Sequence, residues 1–343
     1  MKKWSRFSAW FSDGVLVYTL GVILWGAFVR ATGSGAGCGR HWPLCNGEVF
    51  PRAKQVETWI EFSHRFTSGL NLVLILLLAA SVFRLYPKGS LVRKAASFSV
   101  LFILGEALIG AGLVLFGLVT HDQSAARAIS LGLHLGNTFL LTGSLVLICR
   151  WSRVKSPRFS LPRLGSGGWA AWMALVSTFL VGVSGAVTAL GDTLWPAASG
   201  GLAEGLKADF SPLAPLLLKL RVIHPVAAIL TGVGLVFWAS PQVFTPPTAS
   251  SLSAKRSQRL GMLLLFFVLF QQALGFLNLV LLVPIWTQLT HLGVANLLWL
   301  VLVLFFESRF SKDESDFGLE DQSLNRDFGF FSQFKRASRG EVH

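Results

Sequence analysis

The sequence predicts an all-α polytopic membrane protein, with eight transmembrane helices as two tandem four-helix bundles related by a pseudo-two-fold along the membrane normal. Composition is the first reason. Hydrophobic residues make up 52% of the 343-residue chain and charged residues only 14%, against roughly 25% charged in soluble domains. Mean hydropathy is +0.59. These values exclude a water-soluble globule, a disordered chain and a disulfide-rich secreted scaffold. Segmentation is the second reason, because stretches almost free of Asp, Glu, Lys and Arg recur at the roughly 20-residue length a span needs. An internal duplication is the third.

The apolar stretches run in order. Residues 14–29, 66–83, 95–120 and 128–149 each hold one helix, the third interrupted only by Glu106. Residues 164–191 hold the fifth. Residues 222–254 hold the sixth, followed by a Pro/Ser/Thr-rich loop. Residues 260–306 are too many for one span. Pro284 divides them into a seventh and an eighth helix, since proline removes a helical hydrogen bond and clashes with the preceding turn. No small-x-small cleavage site precedes Arg30, so the first helix is read as a retained anchor.

Eight spans put both termini on one side. The loops and termini of that side carry 21 of the 30 Lys and Arg residues, which makes it cytoplasmic by the positive-inside rule. The net charge of +13 is thus a topological signal, and no nucleic-acid partner is expected. The chain divides into a cytoplasmic N-terminus (1–13), an N-terminal four-helix bundle (14–150), a cytoplasmic linker (151–168), a C-terminal four-helix bundle (169–307) and a polar tail (308–343). The tail is read as disordered or lying loosely on the membrane surface, and no function is assigned to it.

The duplication is visible in register. His134-Leu-Gly-x-x-x-Leu-Leu matches His291-Leu-Gly-x-x-x-Leu-Leu. The ten residues from Glu106 match those from Gln272 at five positions, and a Trp-Pro pair follows both the first helix (Trp42, Pro43) and the fifth (Trp195, Pro196). Each half holds an even number of spans, so the halves share one orientation.

One histidine lies in each even-numbered helix: His64, His134, His224 and His291. At about 1.5 Å rise per residue, each sits about 24–30 Å above the cytoplasmic end, near the exoplasmic face. Four separate imidazoles, each satisfied by a backbone carbonyl, are the bland alternative. Matched depth and pairing favour two imidazoles gripping an iron porphyrin from opposite sides, once per half. Zinc would want further Cys, His or carboxylate ligands close by, and the pairs do not bring them. Small residues after each histidine leave room for a flat macrocycle, though they also let helices pack closely.

The first exoplasmic loop, Cys38-Gly-Arg-His-Trp-Pro-Leu-Cys45, holds two of the three cysteines. On an oxidising face this pair is expected to form a disulfide, either a staple or a redox-active couple. Cys149 is read as a plain buried residue. Glu61 stands three residues before His64 and shares its helix face. It could orient the imidazole, or act on a reacting substrate by proton abstraction or charge stabilisation. The second half has Arg221 at the matching place, so the halves differ in chemistry. Glu57 is the fallback acid. Arg30 and Arg65 are ambiguous between porphyrin propionates and lipid headgroups. Glu106 has no partner evident from sequence, and is expected to be protonated or hydrogen-bonded.

Together these residues resemble the heme A synthase family, in its bacterial type with paired loop cysteines. The resemblance rests on Val29-Arg30-Ala-Thr-Gly-Ser-Gly, on Cys38…Trp42-Pro43-Leu44-Cys45, on Glu61-x-x-His64-Arg65, on one His per even helix and on the second Trp-Pro loop. It covers residues 14–306. His41 departs from the acidic residue that many members carry before Trp-Pro. The resemblance implies oxidation of the C8 methyl of heme O to a formyl group, by two successive hydroxylations and loss of water. The product would be the heme A of terminal oxidases. It implies His224 and His291 as ligands of a resident heme b, His64 and His134 as the substrate-heme site, Glu61 as catalytic acid, and Cys38 and Cys45 as a redox-sensitive pair. It also implies a bacterial cytoplasmic membrane setting and, as partners, a heme O-producing farnesyltransferase and oxidase assembly factors. The electron acceptor and oligomeric state stay open, a homo-oligomer included. The rival functions are a two-heme bis-histidine membrane cytochrome and a heme transporter or chaperone.

Overall fold

The computed structural model describes residues 2–52, 54–154, 157–165, 168–195, 207, 211, 216–245 and 252–311. The second Trp-Pro pair (at Pro196), most of the tail and parts of the 151–168 linker lie outside the described residues.

Among the described residues the fold is eight long α-helices with no strand. These are α1 (Lys2–Ala31), α2 (Val56–Leu85), α3 (Leu91–Leu115), α4 (Ala125–Trp151), α5 (Gly168–Leu194), α6 (Leu216–Phe244), α7 (Leu252–Val280) and α8 (Ile285–Phe310). Each is long and apolar enough to cross a membrane, and the chain is a multi-pass membrane protein. Large apolar side chains such as Leu108, Phe237 and Phe266 are exposed on the outside of the bundle. That surface suits hydrocarbon, and only helices or closed barrels can present it with the backbone satisfied.

Several helices are longer than the apolar runs suggest, α7 among them, which begins at Leu252 and takes in Lys255, Arg256 and Arg259 of the expected loop. Helix α1 begins at Lys2, inside the segment expected to be a separate N-terminus, and α2 begins ten residues before position 66, at Val56. Polar residues therefore continue the helices beyond their hydrocarbon stretches. Local signals set other boundaries. Ser90 and Ser124 accept the amides of Arg93 (3.4 Å) and Arg127 (3.2 Å) and so cap α3 and α4. Pro284 caps α8, after Leu282 and Val283 turn the chain at φ 59. That left-handed conformation is costly for aliphatic residues and persists only where the surroundings enforce it.

Helices α1 to α4 close a ring of neighbours, and α5 to α8 close another. The joint is made by α4 against α5 and α8, and by α1 against α8. Two cores result. One gathers Val15, Ile75, Leu78, Ile103, Leu145 and Ile148 inside the first ring. The other gathers Leu235, Leu264, Leu302 and Phe305 of the second ring together with Phe139 and Val146 of α4. Phe139 stacks on Trp299 with ring centroids 5.2 Å apart, and the Trp299 indole donates to the Phe139 carbonyl at 2.7 Å. At the end of the bundle where α4 finishes, the Glu307 carboxylate is 1% exposed and accepts from Arg256 (2.5 Å) and from Trp151 (3.1 Å). An ion pair this dry is held by its full set of donors.

Candidate functional site

The four even-helix histidines each occur within the first three turns of their helix, in α2, α4, α6 and α8. Even-numbered helices run one way in an up-and-down bundle, so all four lie toward the end that carries the Cys38–Cys45 loop. His64 and His134 lie near enough to interact electrostatically, and so do His224 and His291.

A glycine faces three of these rings. A Cβ built on Gly26 of α1 would stand 2.8 Å from His64 Cε1 and 3.0 Å from its Nε2. One on Gly185 of α5 would stand 3.1 Å from His224 Cε1, and one on Gly275 of α7 3.2 Å from His291 Cε1. Gly26-Ala27 of α1 and Gly185-Ala186 of α5 bring a glycine against the first imidazole of each half, so the two halves cradle it alike. This repeat is readable in the sequence but is too short to notice without the contact.

Residues around the rings differ between the halves. The Glu106 carboxylate of α3 lies 2.5 Å from His134 Nδ1. His224 Nδ1 meets Ser184 Oγ at 3.0 Å. His291 Nε2 is 3.2 Å from Gln271 Nε2. The Nδ1 atoms of His64, His134 and His291 are buried with no well-formed hydrogen bond among the described residues, and for His134 the Glu106 carboxylate stands at ion-pair distance. An imidazole nitrogen left unpaired in a dry site is costly unless something binds the ring. Two neighbouring imidazoles, ring nitrogens without a well-formed hydrogen bond and glycine-bared walls fit a porphyrin held through its iron. Among the described residues, no three His, Cys, Asp or Glu side chains gather as a metal-ion cage.

The loop is built onto α2. Cys38 and Cys45 form a disulfide, and both are essentially unexposed. Its hairpin is closed by Cys45 N–H to Glu48 O (2.9 Å) and Asn46 N–H to Cys38 O (2.9 Å). Gly37 packs so tightly on the start of α2 that a Cβ there would fall 2.6 Å from the Glu57 carbonyl. Glu61 is 3% exposed. Its Oε2 accepts the Cys38 amide at 2.7 Å, and its Oε1 accepts from Arg65 Nε at 3.0 Å and Nη2 at 2.5 Å. Arg65 also donates to the carbonyls of His41 (2.7 Å), Leu44 (2.5 Å) and Gly39 (3.2 Å). All five N–H donors of this guanidinium thus go to Glu61 and to the loop.

Arg30 does something else again. It reaches across the joint, donating to the Ala189 carbonyl (2.5 Å), Thr193 Oγ1 (2.8 Å) and Gln288 Oε1 (3.0 Å). Arg221, the residue at the Glu61 position of the second half, pairs with Asp192 at 3.2 Å. Free Cys149 is buried. The structure therefore brings Glu61, Arg65 and the disulfide into one unit beside His64, and takes Arg30 to the joint between the halves.

Comparison with known proteins bears on this arrangement. The family model described as "COX15-CtaA: Cytochrome oxidase assembly protein" matches residues 9–303. A Thermus thermophilus protein named protoheme IX farnesyltransferase is 41% identical over 305 residues, covering 89% of this chain and 48% of that protein. A Bacillus licheniformis protein named heme A synthase is 41% identical over 127 residues, 37% of this chain and 39% of its own length. A Bacillus mycoides protein of the same name is 38% identical over 143 residues, 42% of this chain and 43% of its own. The chain spans about half or less of the length of these curated relatives.

Proposed function

This chain belongs to the COX15-CtaA family of cytochrome oxidase assembly proteins, and on that footing we propose that it oxidises the C8 methyl of heme O to a formyl group, giving heme A. The observation that carries the proposal is the asymmetry between two otherwise matching histidine pairs. Among the described residues, only the first has a buried carboxylate and a disulfide beside it. Relatives named heme A synthase support the same chemistry.

Residues 14–150 are then the substrate half and residues 169–307 the half that holds heme b. His64 and His134 hold the heme O iron, and His224 and His291 hold the heme b iron. Bound there, heme b supplies one-electron redox capacity. With water as oxygen source, converting methyl to hydroxymethyl takes up one water and releases two electrons and two protons. Repeating the step gives a geminal diol, which loses water to the aldehyde. Four electrons leave in all, to an acceptor outside this chain.

Glu61 acts at the methyl carbon, by taking a proton from the attacking water or by stabilising cationic character there. Its tie to the Cys38 amide makes the loop part of its setting, so a change in the disulfide reaches the carboxylate through one hydrogen bond. Arg65 holds both in place. The protein sits in a bacterial cytoplasmic membrane with both termini inside. Likeness to half of a protein named protoheme IX farnesyltransferase supports a working association with the enzyme that farnesylates heme; oxidase assembly factors are further partners.

Co-expression with a heme O source, followed by mass spectrometry of the extracted porphyrins, tests the function. Heme A is expected from the native chain. Glu61→Ala should yield none while heme b stays bound. Bound heme with no heme A from the native chain would replace this function with that of a two-heme cytochrome. Movement of unoxidised heme across the membrane would replace it with that of a transporter.

A further inference from the structure

We propose that Glu106 is a positioning residue for the first porphyrin site: it accepts the Nδ1–H of His134, fixes that tautomer, and makes His134 a stronger donor to iron than His291. This rests on the proposed assignment of His64 and His134 as axial ligands.

The carboxylate sits in a built receptor. Glu106 Oε2 is 2.5 Å from His134 Nδ1. Oε1 accepts from Asn137 Nδ2 at 2.8 Å and from Thr138 Oγ1 at 2.9 Å. Asn137 is itself pinned to the Phe102 carbonyl at 2.8 Å. Its place depends on Gly105, where a Cβ would stand 2.8 Å from Asn137 Oδ1. Two hydrogen-bond donors and the His134 ring nitrogen therefore converge on one acidic side chain that reaches from α3 to α4.

The second half lacks the whole set. In the register of the duplication, Gln272 stands for Glu106, Val294 for Asn137 and Ala295 for Thr138. The acid and both its supporting donors are exchanged together. Gln272 donates instead to the Ala228 carbonyl at 2.7 Å. Random drift at an isolated polar position would not remove donors and acceptor as a group.

The chemistry follows from a hydrogen bond across that 2.5 Å separation. With Nδ1 committed to Glu106, Nε2 is the ring nitrogen left for iron. A carboxylate behind a ligating imidazole fixes the ring and raises its basicity. Stronger donation and a nearby negative charge favour ferric over ferrous iron. The first site should thus lie at lower reduction potential than the second, which directs electrons from the substrate half to the heme b half.

The test is a potentiometric titration of the purified full chain loaded with heme b as probe, followed by optical and electron paramagnetic resonance spectra. The transition that disappears in His134→Ala is that of the first site. Glu106→Gln should move that transition positive by roughly tenfold in the ferric–ferrous constant, about 59 mV. Its low-spin spectrum should change while the second site stays put. An unmoved transition, or equal movement of both, overturns the proposal. Should E106Q fail to accumulate, Thr138→Val, which removes one donor from Glu106, is read the same way. If His134→Ala removes no transition, the axial-ligand assignment fails and this proposal with it.

Discussion

Replacing Gly26 by alanine should expel porphyrin from the first site while leaving the helix intact. The added methyl would stand 2.8 Å from His64 Cε1 and 3.0 Å from Nε2. Carbon atoms are at ease at about 3.5–4.0 Å, so the imidazole must retreat by roughly 0.7 Å. Overpacking of this kind costs about 1–3 kcal/mol. At about 1.4 kcal/mol per tenfold, retention of the porphyrin should weaken roughly 5- to 150-fold. The substitution also raises helix propensity, by about 1 kcal/mol, so a general loss of stability would not explain the result. Heme per chain, measured on purified protein after dilution and washing, reads the effect. Gly21→Ala is the control, because nothing lies within 4 Å of a Cβ there. Gly185→Ala should do the same to the second site and less severely, its contact being 3.1 Å. If Gly26→Ala keeps its first-site heme, or if Gly21→Ala loses as much, the glycine does not clear the imidazole's ground.

The loop and the joint give further expectations. Arg65→Met should free the disulfide hairpin from α2 and leave the buried Glu61 unpaired; breaking one side of such a pair costs about 3–5 kcal/mol, read as a lower unfolding temperature in detergent and faster proteolysis within residues 38–48. Cys38→Ser, with a sequence separation of seven to its partner, should lose about 2.4 kcal/mol by the loop-closure entropy it releases; adding reductant to the native chain should reproduce that loss, and an unchanged melting temperature under both treatments would argue against it. Glu307→Gln should lower stability by about 3 kcal/mol, near the lower bound for a buried pair because Arg256 is partly solvated; the check is chemical denaturation in micelles, with an unchanged midpoint counting against it.

The spans were legible because hydrocarbon length and charge exclusion act on single segments. Pro284 parted α7 from α8 as expected, for the same local reason. The ends were less legible. The charge-free run starts only at position 66, yet Glu61 and Arg65 lie within α2 as their helix face with His64 required, and the disulfide hairpin supplies partners for both. Contacts between helices depend on how each is rotated about its axis, and one sequence carries that weakly. Hence Glu106 showed no partner until α3 and α4 were brought together, and Arg30 showed no sign that its guanidinium crosses to α5 and α8. The matched positions of the histidines were legible because duplication supplied a second copy of the pattern. The disulfide was expected, but its hydrogen-bonded tie to Glu61 was not.

Helix α4 belongs to both halves at once. It carries His134 on one side, and five residues later it lays Phe139 against Trp299 in the seam. Twisting α4 to swing the imidazole would shear that stack and the indole bond with it. The His134 ring and the seam stack thus ride on one helix, which ties the two halves together.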